Sequence, residues 1–288
     1  MDFVIWTDNQ TIRPMMVLLY SICKCHEGSR ITFHIAGPSK EEIGSNQLEQ
    51  VVKSFQSVEL VYMENVMSCS IPEIIDRLPH ELGKILWLDV NCLVKGRLDG
   101  LFETDIKDCA VIACRDINSA ISGIEESLLD ECGMDRKFSL FSTDVMMINL
   151  EYWRRRDAGR LISDSVKSGE LSLQQIYNRD LAGKVRYAFW GEYCVPPCFY
   201  RLNLKKVVDG QIDFATYGEI NSHSDDSTYM SENMDITSRI MENARIISYC
   251  RNESRPWVFG GDDVYWVYRL YHPLWLECEQ QMLKTMEG

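Results

Sequence analysis

Residues 84–94 read Lys84-Ile85-Leu86-Trp87-Leu88-Asp89-Val90-Asn91-Cys92-Leu93-Val94, in which Lys84–Asp89 is a compact apolar run that stops at an acid. A run this short and this apolar reads as a strand buried on both faces. The chain opens in the same way, with Phe3-Val4-Ile5-Trp6 ending in Thr7-Asp8. Between and beyond these two runs the pattern alternates. Ile12, Met15, Met16, Leu19, Ile22 and Cys23 share one side of a helix, and Ile31–Ile35 reads as a second strand. Ser39 with Glu42 three residues on forms a capping box, which predicts a helix starting there. Val58–Met63, Ala110–Ala113 and Val145–Leu150 read as further strands. Strands alternating with helices imply an α/β fold, with a mostly parallel central sheet covered by helices on both faces.

Ligands of such sheets sit at the carboxyl ends of the strands. Thr7-Asp8 and Asp89 both fall there, among the first polar groups after an apolar strand, and so mark a candidate site. Each Asp also suits a simpler task, capping the turn that follows it.

The second half is less regular. Glu151–Lys167 and Leu171–Arg179 read as helices, residues 221–235 as a polar mobile loop or insertion, and Arg245–Tyr249 as a late strand. Asp262–Lys284 is aromatic-rich and reads as helical on either side of Pro273, a packed C-terminal segment and a candidate contact surface. Gly260-Gly261-Asp262-Asp263 reads as its helix entry, and no Gly-rich phosphate-cradling loop is present, which argues against a nucleotidyltransferase.

Composition narrows the partners. The 288 residues carry 30 Lys plus Arg against 43 Asp plus Glu, a net charge of −13, which argues against nucleic acid and against an anionic membrane surface. The 11 cysteines are an odd number without paired zinc-type spacing, so Cys23-Lys24-Cys25-His26 and Cys194-Val195-Pro196-Pro197-Cys198 read as inert thiols rather than metal ligands. Thiol usage, the absence of a leader and the absence of a membrane-length apolar run together predict a soluble cytoplasmic protein with no transmembrane segment. No repeat or linker divides the chain, so a single domain spanning 1–288 is expected.

Several segments, in order, resemble glycosyltransferase family 8, a retaining group that uses nucleotide sugars. The strand ending Thr7-Asp8 is similar to the family's first nucleotide-binding segment. Leu78-Pro79 through Val94 is similar to its LP…KvlYLDaDilV block, Phe141–Asn149 with Trp153-Arg154 to FNsGvmliN…WR, Gln174 and Asn178 to parts of DQDxlN, and Ile246–Trp257 to the terminal iiHy…KPW. The resemblance implies a GT-A fold, the Rossmann-like nucleotide-diphospho-sugar transferase architecture. It implies a nucleotide-binding half over about 1–115, an acceptor-side half over about 116–260, and a C-terminal helical segment over 261–288. It implies transfer of a hexose from a nucleotide sugar, a UDP-hexose, to a saccharide or glycoprotein acceptor. The implied donor-binding residues are Thr7, Asp8, Asp89, Asn91, Arg251 and Arg255, with Gln174 facing the reacting sugar carbon.

The departures are equally specific. The family's manganese is held by two acids and a His. The corresponding residues here are Asp89, Asn91 and Ser248, one acid with two weak neutral oxygens, a poor cage for a hard cation. The acids flanking the family's Gln are Leu173 and Gln175, its uracil-stacking aromatic is Thr11, and the Gly of sGv is Asp144. Arg255 takes the place of the diphosphate-binding Lys, with Arg251 four residues earlier, so cationic side chains are expected to replace metal charge. The other reading is a catalytically inactive relative that binds or scaffolds an active glycosyltransferase subunit or another copy of itself.

Overall fold

The structure, a computed structural model, describes residues 1–66, 70–121, 123–156, 162, 171–201, 207–208, 211–212, 238–250, 255–258 and 268–287. The opening apolar run forms β1 (Asp2–Trp6), followed by α1 (Ile12–Cys25), β2 (Ile31–Ala36), α2 (Ser45–Val52), β3 (Val58–Met63) and α3 (Ile71–Ile75). The deciding run is β4 (Lys84–Leu88), and Cys92–Val94 forms a short β5. Then come α4 (Asp99–Glu103), β6 (Val111–Arg115), α5 (Ile117–Ile121), α6 (Glu125–Glu131), the long β7 (Phe141–Asn149) and α7 (Leu150–Arg156). After these come α8 (Leu173–Asp180), β8 (Val185–Ala188), α9 (Trp190–Tyr193), a 3₁₀ turn (Pro197–Arg201), two dipeptide strands β9 (Val207–Val208) and β10 (Gln211–Ile212), β11 (Ile246–Ser248) and α10 (Tyr268–Glu287).

Seven strands form one sheet in the order β3-β2-β1-β4-β7-β6-β8. β1 pairs in parallel with β2 and β4, β2 with β3, and β6 with β8, whereas β7 runs antiparallel between β4 and β6. The sheet is therefore mostly parallel, as the alternation of strands and helices requires. β4 is apolar throughout because both faces are covered. Leu86 and Leu88 join the core beneath α1, while Ile85 and Trp87 join the core that includes Trp153, Ile176 and Tyr177. Each such aliphatic side chain contributes roughly 1.5–3 kcal/mol when fully buried. Trp153 is fixed as well as buried, since its indole N–H donates to the Ala110 carbonyl at 3.1 Å.

One local expectation is corrected. The helix predicted from Ser39 starts at Ser45. The capping contact is made, with the Glu42 amide donating to Ser39 Oγ at 3.2 Å, but Gly44 takes a left-handed φ of 63° and breaks the first turn from the helix. The C-terminal segment is helical on both sides of Pro273, as expected, within the single helix α10. The true capping box lies later, at Ser172 and Gln175, where it starts α8. The stretch 221–235, Arg251, the Gly260–Asp263 segment and most of the predicted helix beyond Arg156 lie outside the described residues. Among the described residues no helix is long and apolar enough to cross a membrane.

The topology gathers one rim. β1, β4, β6 and β8 all point the same way, so their carboxyl ends share an edge with the amino end of antiparallel β7. The strand order reverses between β1, which continues into β2 and β3 on one side, and β4 on the other. A crevice opens at such a reversal. Asp8 and Asp89 stand on either side of it.

Candidate functional site

The first turn after β1 is self-contained. Asp8 Oδ1 accepts the Gln10 amide at 3.0 Å and the Thr11 hydroxyl at 2.9 Å, while Thr7 Oγ1 lies 2.9 Å from Thr11 Oγ1. Asp8 thus does cap its turn, but with one oxygen. Its Oδ2 has no partner among the described residues. Thr11 sits at the head of α1 and offers no aromatic platform.

At the end of β4, Asp89 Oδ1 accepts both the backbone N–H of Asn91, at 2.8 Å, and the Asn91 side-chain amide. Ser248 reaches the same place from far along the chain through the antiparallel β5–β11 ladder, in which it faces Cys92, and the Tyr249 amide donates to the Asn91 carbonyl at 2.8 Å. The Ser248 hydroxyl donates to Asp144 Oδ2 at 2.6 Å, and the Asp89 amide donates to the Asp144 carbonyl at 2.8 Å. Asp89, Asn91, Ser248 and Asp144 therefore form one polar patch.

Two carboxylates in one half-buried patch are costly to ionise. Burial pushes Asp144 up to about 6, with the charge of Asp89 adding to the shift and the Ser248 hydroxyl opposing it. Burial also raises Asp89, while the Asn91 hydrogen bonds and then the positive charge of Arg255 pull it back. Arg255 thus stands within electrostatic reach of Asp89. One of its Nη atoms donates to the Cys250 carbonyl at 3.4 Å, and its buried Nε has no partner among the described residues. Arg251 lies outside the described residues.

The donor set can be tested against the family's metal. Of the three implied ligands only Asp89 is anionic. Asn91 and Ser248 act here as hydrogen-bond donors to carboxylates, which places N–H and O–H, not lone pairs, towards the acids. Asp144 adds a carboxylate but gives an oxygen to Ser248, and among the described residues no three His, Cys, Asp or Glu groups come together as a metal site. The residues do not fit a manganese ion held by two acids and an imidazole.

Across the rim, Gln174 rises from the first turn of α8, half-buried, and its Nε2 donates to Asp116 Oδ2 at 2.8 Å. It is not a free surface amide. Gln175 is spent in the capping box, and Asn178 bridges the Phe141 backbone, accepting its N–H at 2.7 Å and donating to its carbonyl at 3.0 Å. This bridge seats α8 on the amino end of β7.

Sequence reasoning missed two carboxylates of this rim. Asp116 follows β6 as Asp89 follows β4, so the same strand-end signal was present in Ala110–Ala113. Asp144 was noted only for the Gly it replaces, because its strand was read as beginning at Val145. The structure extends β7 back to Phe141 and puts Asp144 on Ser248.

The cysteines behave as packed thiols. Burial raises Cys92, Cys114, Cys194 and Cys250 above the ordinary thiol range. His26 is structural too. Its Nδ1 is 2.8 Å from the Ile22 carbonyl and its Nε2 accepts the Leu98 amide at 2.9 Å, which leaves no ring nitrogen for a metal.

Comparison with known proteins agrees with this architecture. Residues 3–259 match Glycosyl transferase family 8. A lipopolysaccharide 1,2-glucosyltransferase of Escherichia coli is 25% identical over 154 residues, covering 49% of this chain and 44% of that protein, so the chain matches less than half of that relative's length. Among solved structures, the galactosyltransferase LgtC in complex with donor and acceptor sugar analogs superposes with a TM-score of 0.68 at 19% identity, over 98% of this chain and 96% of that one. The bifunctional glycosyltransferase WbbM gives 0.70 at 14% identity, over 100% of this chain and 52% of that one. The glycosyltransferase GlyE of Streptococcus pneumoniae gives 0.60 at 15% identity, over 97% and 63%. The sheet order, the carboxylate rim at its reversal and a match across residues 3–259 establish that this chain is a GT-A-fold member of glycosyltransferase family 8.

Proposed function

We propose that the protein transfers a hexose from a nucleotide sugar, a UDP-hexose, to a saccharide or glycoprotein acceptor, and that side-chain cations rather than a metal neutralise the departing diphosphate. The observation that carries this reading is the Arg255 guanidinium, which donates to the carbonyl of Cys250, two residues beyond Ser248, and whose charge acts on Asp89. When the bond between the anomeric carbon and the β-phosphate oxygen breaks, its electron pair goes to the diphosphate. The acceptor oxygen forms the new bond and its proton passes to that leaving oxygen. The largest charge therefore develops on the diphosphate, where a guanidinium donates in the fork geometry that phosphate oxygens accept. Arg251, from the same segment, adds a second cation. Asp8 Oδ2 is the acceptor left over for the nucleoside, and Gln174 presents an amide to the sugar.

The division into two halves and a C-terminal helical segment over 261–288 is kept in this proposal. The donor half, about 1–115, contributes Asp8 and Asp89, and the acceptor half, about 116–260, contributes Gln174 and Arg255. The test is donor hydrolysis across UDP-, GDP- and ADP-hexoses, with and without EDTA. The Escherichia coli relative is named a lipopolysaccharide 1,2-glucosyltransferase, so glucose is the first donor sugar to try and a lipopolysaccharide saccharide the first acceptor. Turnover that survives EDTA supports the proposal, turnover that requires manganese overturns its metal-free part, and no turnover with any donor overturns it altogether.

One observation favours the second reading, an inactive relative that serves as a binding subunit for another transferase or for a second copy. The Asn91 and Ser248 donors already occupy the carboxylates that would hold a cation. That reading expects no thermal shift with UDP, whereas UDP binding at saturating concentration raises the melting temperature of a protein that still builds the donor site.

A further inference from the structure

Gln174 is gripped from one side. Its Nε2 donates to Asp116 Oδ2 at 2.8 Å, the one hydrogen bond its side-chain amide makes among the described residues. Asp116 is only 4% exposed, and donors surround it. The backbone N–H groups of Asn118 and Ser119 reach Oδ1 at 3.1 and 3.3 Å, and the Ser119 hydroxyl donates to Oδ2. Capping the short helix α5 accounts for the two backbone contacts. It does not account for Gln174, which arrives from 58 residues away.

A carboxylate can only accept, so the end of the Gln174 amide that faces it must be the NH2. The carbonyl oxygen is thereby held on the opposite side. We propose that Asp116 is a positioning residue that locks the Gln174 amide so that Oε1, not Nε2, is offered to the donor sugar. This inference rests on the reading of Gln174 as the group that faces the reacting carbon. As that carbon loses its leaving group it gains positive charge, which an oxygen dipole stabilises and an N–H dipole opposes. The same turn is also tied to the donor side. The Asn118 amide donates to Cys250 Sγ at 2.9 Å, and the Cys198 thiol donates to Asn118 Oδ1 at 3.1 Å, so Asp116 is anchored to the segment that follows Ser248.

A double-mutant cycle tests the lock. In Asp116→Asn the two backbone N–H groups still demand an oxygen at the Oδ1 position, so the introduced NH2 falls opposite Gln174 and turns its amide over. The expected result is a fall of about 10²-fold in kcat for UDP-hexose hydrolysis, with donor KM within about twofold and the melting temperature within about 2 °C of wild type. In Gln174→Glu two carboxylates confront each other, and the melting temperature falls by about 4 °C along with the rate. Combining the two substitutions pairs an amide with a carboxylate and returns an oxygen to the cleft. The double variant regains the lost melting temperature and recovers kcat to within about tenfold of wild type. Additive losses in both readouts overturn the lock while leaving glycosyl transfer standing. A wild-type protein that hydrolyses no donor, with the melting temperatures still non-additive, overturns the transferase reading and with it the purpose assigned to the lock.

Discussion

Replacing Asp144 by Asn should make the protein more stable at pH 8, although the substitution removes a charged group that makes a good hydrogen bond. Burial and the neighbouring Asp89 raise the Asp144 carboxyl from 3.8 to about 6. An acid with a higher pKa in the folded chain than in the unfolded one binds its proton more tightly when folded. Its penalty is therefore absent below pH 3.8, grows between about pH 4 and 6 and is complete above that. At about 1.4 kcal/mol for each pH unit, the full penalty is on the order of 3 kcal/mol. The Asn amide keeps an oxygen for the Ser248 hydroxyl and carries no charge. Asp89, relieved of a neighbouring anion, moves in the same favourable direction. Urea unfolding of wild type and Asp144→Asn in EDTA at pH 8 and pH 4 measures the effect. The variant should gain about 2–3 kcal/mol at pH 8 and almost nothing at pH 4, with unchanged m-values. A loss of stability at pH 8, or an equal gain at both pH values, refutes the account of an Asp144 carboxyl raised by burial and by the neighbouring Asp89.

Other expectations follow from neighbouring contacts. Arg255→Gln removes a cation whose charge acts on Asp89 and should weaken UDP binding by about 2–3 kcal/mol, measured by isothermal titration; an unchanged Kd means that Arg255 never meets the diphosphate. Asn178→Ala strips both polar groups of the buried Phe141 backbone of their partner and should cost about 3 kcal/mol in chemical denaturation, with a loss under about 1 kcal/mol counting against the seating of α8. Asp2 is held below the usual carboxylate range chiefly by its hydrogen bond with His34. Its stabilisation is present above pH 3.8 and fades as pH falls through the lowered folded value, so Asp2→Asn should cost up to about 1 kcal/mol near neutrality and nothing near pH 2, as read by thermal melts across pH.

Much of the fold was legible because it is written in uninterrupted apolar runs. Val58–Met63 is a strand with the limits its pattern implies, and the runs ending at Asp8 and Asp89 lie beside each other at the reversal of strand order. Where local chemistry competes with itself, the reading slipped. Ser39 and Glu42 make the contact of a helix start, yet the left-handed Gly44 delays the helix to Ser45. Half of the site was legible for the same reason as the fold, since an acid after an apolar strand announces itself. The other half depends on pairings that no local window contains. Ser248 meets Asp144 only because β11 pairs with β5, and Gln174 meets Asp116 only because Asn178 fastens α8 to β7. By residue type, Asn91 and Ser248 are weak metal ligands. The structure shows them working as donors, a role that residue type alone leaves open.

The sulfur atoms beneath this rim supply an internal clock. Cys92 and Cys194 are buried and protonated far above neutrality, so an alkylating reagent at pH 7–8 finds them inert until the floor beneath Asp144 opens. Their labelling rate then counts how often that floor breathes, without a probe being added. Comparing the rate with nucleotide present and absent reports whether occupancy of the cleft holds the floor shut.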